Sequence, residues 1–296
     1  MKKMRLILTT FEQRTGQAGS YFSHQHLSLA VFLGLLIFSW SSVLNDDMSH
    51  GGRGLDQSAF DSMVKFLGKL LGLNSETPPA YLDISLWVST ANLAAETLVM
   101  SVLAIWLASV SVIFTVLFTA RNIIFGDSAL FTSFVFKFIF YMFRFLYLIT
   151  RAVPELVWAM ILVFFLTPGI VPGVVALAIH NFGVLGKLTA ELIENMDQRP
   201  IRSLRINGAG PIQVIFYGVL PNIIPQFLTY MLYRWEVIIR TTVVVGFISA
   251  GGLGREFRLF MSWLQYDRVL LILIWYLILV LFVDLVSEAM RKIVRS

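Results

Sequence analysis

The feature that most constrains this chain is the length of its uncharged apolar runs. Leu27 to Leu44 holds no Asp, Glu, Lys or Arg, and Ala94 to Ala120 holds only Glu96. A helix needs about 20 apolar residues to cross a hydrocarbon core of ~30 Å. A membrane β-barrel would instead show alternating segments of about ten residues. Charged residues make up 14% of the chain, where soluble domains carry about 25%. So little charge cannot cover a water-soluble globule. The fold class expected is an all-α polytopic membrane protein, and a cytosolic enzyme, a disordered chain and a secreted disulfide scaffold are excluded. The absence of cysteine removes thiol catalysis, disulfides and thiolate metal sites. The four histidines (24, 26, 50 and 180) form no i, i+4 pair, so no metal site is expected.

Six crossings are expected. The first is Leu27 to Leu44, after a basic segment with Lys2, Lys3, Arg5 and Arg14. A signal peptide would fit those flanks, but the 26 residues before the apolar run are long for its charged leading region and no small-x-small site follows Trp40. The run therefore reads as an uncleaved helix with its N-terminus in the cytoplasm. The stretch 45–88 is polar and poor in basic residues, which places it outside. Within it, Phe60 to Leu71 has helical apolar spacing and suits a short interfacial helix. The second span is expected over Ala94 to Ala120.

Leu130 to Leu166 is apolar for 37 residues, interrupted by Lys137, Arg144, Arg151 and Pro154. One crossing, over Val153 to Thr167, keeps the later Arg-rich loop in the cytoplasm. Residues 130–150 then form a basic interfacial helix, with the aromatic run Phe131 to Tyr147 facing lipid or packing. The fourth span is expected over Gly169 to Ala190, the fifth within Pro221 to Ala250 and the sixth over Val269 to Val286. The tail Arg291-Lys292-Ile293-Val294-Arg295 returns the C-terminus to the cytoplasm. The organisation expected is an N-terminal segment 1–26, a first helix 27–44, an external segment 45–88 and a core 89–296. No internal repeat or low-complexity segment interrupts it.

Nucleotide chemistry has no place in this chain. Gly68-Lys69 and Gly186-Lys187 lack the spacing of a phosphate-binding P-loop, and Gly251-Gly252-Leu253-Gly254 follows a membrane run, not a strand. The informative stretch is 191–221. Asp197 can cap a helix that Pro200 starts and Gly208 and Gly210 end; Pro221 then restarts the chain into the fifth span. Arg199, Arg202 and Arg205 recur every three residues and form one stripe beside Ile201 and Leu204. An amphipathic surface helix is the other reading of the same residues.

This stretch resembles the coupling loop of ABC-importer permeases, E-A-A-x-x-x-G-x9-I-x-L-P. Gly208 is followed nine residues later by Gly218-Val219-Leu220-Pro221. Arg202 stands at the Glu position, Ser203 and Leu204 at the two Ala positions, and Gly218 at the Ile position. The wider chain, from about Leu86 to Arg295, resembles the phosphonate-type permease branch. The segments that carry this include Glu96-Thr97-Leu98, Arg151-Ala152-Val153-Pro154-Glu155, His180, Gly183-Val184-Leu185-Gly186-Lys187, Tyr233-Arg234-Trp235-Glu236 and Gly251-Gly252-Leu253-Gly254. The resemblance implies a MetI-like core with an extra N-terminal helix. It also implies a second permease copy, two cytoplasmic ATPase subunits that use ATP and Mg, and a periplasmic binding protein. No cofactor is expected on this chain itself, nor any nucleic-acid partner. Coupling to the ATPase is assigned to Arg199, Arg202, Ser203, Arg205, Gly208, Leu220 and Pro221.

Charges inside the spans form the second signal, because each costs roughly 2.5–3.5 kcal/mol at a helix centre. Glu236 and Arg240 are i, i+4 and can pair, as can Arg151 and Glu155. Arg234 has no such partner on its own helix. With His180, these six are the candidate substrate path for a phosphorus oxyanion such as phosphonate. His180 also fits a hydrogen-bonded packing role. The expected location is a bacterial inner membrane. An ion-coupled transporter or channel for a small anion is the alternative, and a membrane scaffold without transport leaves the intramembrane arginines unexplained.

Overall fold

A computed structural model describes residues 26–45, 57–73, 78–125 and 133–295, with the backbone alone at 57, 249, 250 and 295. The expectations for residues 1–25, 46–56, 74–77, 126–132 and 296 lie outside the described residues. All secondary structure among the described residues is helical. The chain divides into two units, residues 1–67 and 68–296.

The first unit holds α1 (His26–Asn45) and most of α2 (Gln57–Leu70). The α1 helix is long and apolar enough to cross a membrane, as expected for 27–44. On α2, Phe60, Met63, Val64 and Leu67 repeat at three- and four-residue intervals and are exposed, the pattern of an amphipathic helix.

The second unit is the helical core. It contains α3 (Ile84–Thr115), α4 (Arg121–Ile124), α5 (Phe134–Ala152), α6 (Glu155–Val163) and α7 (Ile170–Asn195). It continues with α8 (Arg199–Ile206), α9 (Pro211–Gln213), α10 (Leu220–Val245), α11 (Gly252–Ser262) and α12 (Tyr266–Arg295). A π-helical turn, Val214–Val219, fuses α9 to α10, so one helical run extends from Pro211 to Ile248. The widened turn sits just before Pro221, whose ring clashes with the carbonyl four residues back in a regular helix. The expected new start at Pro221 is therefore corrected. Pro211 begins the run, and Pro221 and Pro225 lie inside it.

The second span also starts earlier than expected. The Asp83 carboxylate accepts a hydrogen bond from the Ser85 N–H at 2.8 Å and caps α3 eleven residues before Ala94. This cap takes the end of the supposed external segment into a helix. The polar face of α3 is made of small residues. Thr90, Ala94, Thr97, Ser101, Ala104 and Ala108 are buried, and such residues let helix backbones approach closely. The most extensive packing in the core joins α3 to α7, followed by α5 to α7 and α10 to α12.

The expected third crossing over 153–167 is corrected as well. α6 has nine residues, about 14 Å at 1.5 Å per residue, too short to cross alone. It meets α5 at a 91° bend. Pro154 causes the break: it has no N–H to give the preceding turn and holds the residue before it extended. Nor does α5 lie apart from the bundle. It runs antiparallel along α7, with Gly183 beside Thr150 and Arg151, Gly186 beside Tyr147, and Arg144 beside Glu194. A Cβ on Gly183 would fall 2.7 Å from the Arg151 backbone nitrogen. These two glycines let α5 and α7 seat against each other. The aromatic run divides as its two readings allow: Phe140 and Tyr147 are buried, while Phe134, Phe138 and Phe145 are exposed.

Candidate functional site

Two groups of residues concentrate the polar chemistry of the core. The first is the link between α7 and α10. The Asp197 carboxylate accepts from the Arg199 N–H at 3.0 Å and also pairs with the Arg199 guanidinium at 3.2 Å; the cap position itself is held by Gln198, so the expected Asp197 cap is corrected to a brace one residue before it. α8 is amphipathic: Arg199, Arg202, Ser203 and Arg205 are exposed, and Ile201 is buried. It ends at Gly208, whose φ is +84°. The Gly208 N–H donates to the Arg205 carbonyl and the Ala209 N–H to the Leu204 carbonyl, each at 3.0 Å. This is a Schellman close, and it requires the left-handed conformation that glycine adopts without a Cβ penalty. Gly210 then starts α9 with its N–H on Gln213 Oε1 at 2.9 Å.

The underside of α8 sits on the π turn. A Cβ on Gly218 would lie 3.0 Å from Leu204 Cδ1 and 3.6 Å from Ile201 Cγ1. The link therefore presents four polar residues outward and fixes them through two apolar ones. Leu220 is half-buried and Pro221 exposed on the helix that continues from it. All seven residues assigned to coupling lie in this one element.

The second group lies along α5, α6, α7 and α10. His180 faces the Val153 carbonyl through Nδ1 at 3.0 Å and the Glu155 carboxylate through Nε2 at 3.5 Å. Glu155 thus meets His180, not Arg151 as its i, i+4 spacing suggests. The 91° bend between Arg151 and Glu155 destroys the helical spacing on which that pairing depended. The Arg234 Nε donates to Asn181 Oδ1 at 2.8 Å, so this arginine is anchored by a buried amide on α7. The Arg151 Nε is buried and has no hydrogen-bond partner among the described residues.

The expected Glu236–Arg240 pair is replaced by a ladder between antiparallel helices. The Arg291 guanidinium donates to Glu236, and the Arg240 guanidinium donates to both Asp284 oxygens at 3.0 and 2.9 Å. Interhelical carboxylate and guanidinium partners outcompete a pair on one helix because they reach each other with better geometry. Asp284 on the sixth apolar run and Arg291 in the basic tail were visible in the sequence; both pairs run acid then base, so two antiparallel helices set each acid against a base, and that was the available signal. Asn181 gave no such signal.

Two further contacts tie the elements together. At the end of α10, Gly251 and Gly252 have φ of +99° and +64° and turn the chain into α11. The Gly252 N–H donates to Glu96 at 3.2 Å and the Leu253 N–H to the Thr97 hydroxyl at 2.9 Å, so α3 caps α11 from outside. Near the opposite end of α3, Arg144 joins Glu194 and donates to the Thr119 carbonyl at 3.1 Å, while Glu194 also accepts from the Arg121 N–H at 2.7 Å.

A multi-helix core with one broken span, a long helical link bearing a basic face, and polar residues anchored between spans is the architecture of a polytopic helical membrane protein. The family model described as "Binding-protein-dependent transport system inner membrane component" matches residues 123–296. The chain belongs to that family. Among curated relatives, the phosphite transport system permease protein PtxC of Stutzerimonas stutzeri is 42% identical over 142 residues, covering 48% of this chain and 52% of the relative. The phosphate-import permease protein PhnE of Mycolicibacterium smegmatis is 32% identical over 201 residues, covering 68% of this chain and 36% of the relative. The chain spans about half the length of the first curated relatives it matches. A chain of the MetNI methionine ABC transporter in an inward-facing conformation shares the fold, with a TM-score of 0.60 at 16% identity, covering 72% of this chain and 99% of that one.

Proposed function

We propose that this chain is the membrane-spanning permease subunit of an ATP-driven importer for a phosphorus oxyanion of the phosphonate or phosphite class. The observation that carries the reading is the link from α8 to α10. An exposed basic helix, a left-handed glycine and a π turn lead without a break into the span that holds Arg234, Glu236 and Arg240. A push on α8 is thereby delivered to α10 through the contact of Leu204 and Ile201 with Gly218. Relatives named as phosphite and phosphate permeases support the substrate class.

In this reading the chain works with a second permease copy, two cytoplasmic ATPase subunits and a periplasmic binding protein, and it holds no nucleotide itself. ATP and Mg are used by the ATPase. Both termini and α8 face the cytoplasm. Arg199, Arg202 and Arg205 meet acidic residues in the ATPase groove, with Ser203, Leu220 and Pro221 in the same element. Substrate passes Arg151, Glu155, His180, Arg234, Glu236 and Arg240. Arginine suits this cargo because its planar fork matches phosphate-like oxygens. The path stays polar but not sticky because, among the described residues, each of these cations except Arg151 has a partner that competes with the anion.

Co-reconstitution with the cognate ATPase tests the reading. The permease should stimulate ATP hydrolysis, and loaded binding protein should stimulate it further. ATP hydrolysis indifferent to the permease would contradict it.

A further inference from the structure

Among the described residues, Arg151 is a core cation left without a counter-charge. A cavity of about 250 Å³ lies between α5 and α7, lined by Arg144, Tyr147, Arg151, Lys187, Glu191 and Glu194. Three of these are basic and two acidic. Arg144 is taken by Glu194, and Lys187 is held 3.3 Å from Glu191. Within the described residues Arg151 has no carboxylate at ion-pair distance, and its buried Nε has no acceptor. The Nε therefore does not cap α5, although Arg151 sits in the last turn of that helix.

Arg151 is partly exposed, but its Nε is buried without an acceptor, and a buried donor left unsatisfied costs free energy. It survives where a ligand completes it. The backbone around it is rigid: Gly183 brings α7 into contact with the Arg151 main chain, so the side chain is presented by two packed helices and not by a loop. The surrounding charges suit a small anion. Arg151 supplies a planar pair of donors, Lys187 a mobile ammonium, and Glu191 a competitor that releases Lys187 when an anion arrives.

Depth narrows the source. Eleven residues separate Gly183 from Glu194 on α7, about 16 Å at 1.5 Å per residue. Half of the hydrocarbon core is ~15 Å. With Glu194, near the end of α7, taken as the membrane boundary, Gly183 and the Arg151 it packs against fall at the midplane. A free ion in an aqueous path can reach Arg151; a lipid headgroup would more readily stop at Arg144 and Lys187.

We propose that the cavity between α5 and α7 is a binding site for a phosphate-class oxyanion, anchored by Arg151 and assisted by Lys187. The site deepens the transport reading and rests on it for the source of the ion. Neither Lys187 nor Glu191 was singled out by the sequence for this role.

The test uses the purified full chain and inorganic phosphate, with binding read by equilibrium dialysis in phospholipid-free micelles. A parallel arm measures phosphatidylglycerol retained by native mass spectrometry from phosphatidylcholine bilayers doped with it. Phosphate bound in micelles identifies a free-ion site; phosphatidylglycerol retained without phosphate binding identifies a headgroup site. In either case Arg151→Gln should lower affinity by about tenfold or more, the loss of one charge-assisted contact. Arg151→Lys should recover part of it, and Glu191→Gln should tighten binding. The gain in Glu191→Gln cannot come from misfolding. Absence of both ligands from the wild-type chain, or equal binding by Arg151→Gln, would overturn the proposal. If binding fails while the assembled complex still imports with ATP, the site alone is wrong. If binding holds while ATP drives no import, the transport reading alone is wrong.

Discussion

Leu204 and Gly218 share one side-chain volume: Leu204 Cδ1 fills the space 3.0 Å from where a Gly218 Cβ would stand. The resemblance to the coupling-loop motif puts Ala and Ile at these positions. The large and small residues have changed places across the contact, so α8 still seats on the π turn. We read these two departures, which look unrelated in the sequence, as one compensated exchange.

This relationship predicts a double-mutant cycle. Gly218→Ile alone should overpack the contact, costing about 1–3 kcal/mol, and lower the thermal midpoint of the purified chain. Leu204→Ala alone should open a cavity and also destabilise. The double variant Leu204→Ala/Gly218→Ile should recover most of the loss. Additive losses in the double variant would show that the two residues do not share this volume.

Gly208 carries a separate expectation. Its φ of +84° costs a residue with a Cβ roughly 1–2 kcal/mol, more for a β-branched one. Among the described residues, no atom comes within 4 Å of the place a Cβ would take there, so conformation and not crowding is at stake. Gly208→Val should leave membrane insertion intact but abolish stimulation of the ATPase. Gly208→Asn, which tolerates the left-handed region better, should retain part of it. Full stimulation by Gly208→Val would remove α8 from the coupling role.

The ladder between α10 and α12 separates structural from transport roles. Arg240→Gln strands Asp284 and should lower the thermal midpoint, and Asp284→Asn should do the same. The pair should show a favourable coupling energy in a double-mutant cycle, since the Arg240 guanidinium donates to both Asp284 oxygens. If Arg240 also guides the anion, the double variant Arg240→Gln/Asp284→Asn should be stable yet import slowly. Normal import by that variant would confine Arg240 to holding the helices together.

The helical class, the first, fourth and sixth spans and the α8 element were legible in the sequence because apolar runs and glycine spacing report on local backbone directly. What was not legible arose from tertiary geometry. The spacing of Arg151 and Glu155 promised a pair, and Pro154 bent it apart. The spacing of Glu236 and Arg240 promised another, and Asp284 and Arg291 offered better-placed partners. The expected crossing at 153–167 went wrong for the same reason: hydropathy measures length, and it does not register a 91° turn. Nor does spacing reveal that Glu96 and Thr97 would cap α11 more than 150 residues away.

Sidedness can be read by chemical labelling, since the chain has no native cysteine. Cysteine at Ser58 should react with an impermeant thiol reagent outside intact cells, and cysteine at Ser203 should react only after the membrane is opened. Labelling of position 203 from outside would invert the proposed topology and detach α8 from any cytoplasmic ATPase.

The energy source of transport tests the central claim most directly. Proteoliposomes would carry the permease with its cognate ATPase, with the binding protein and labelled phosphite on the opposite side from ATP. Uptake should require hydrolysable ATP and Mg and should persist when proton and sodium gradients are collapsed. Uptake that ignores ATP and stops when an ion gradient is dissipated would contradict the account and assign the chain to ion-coupled transport.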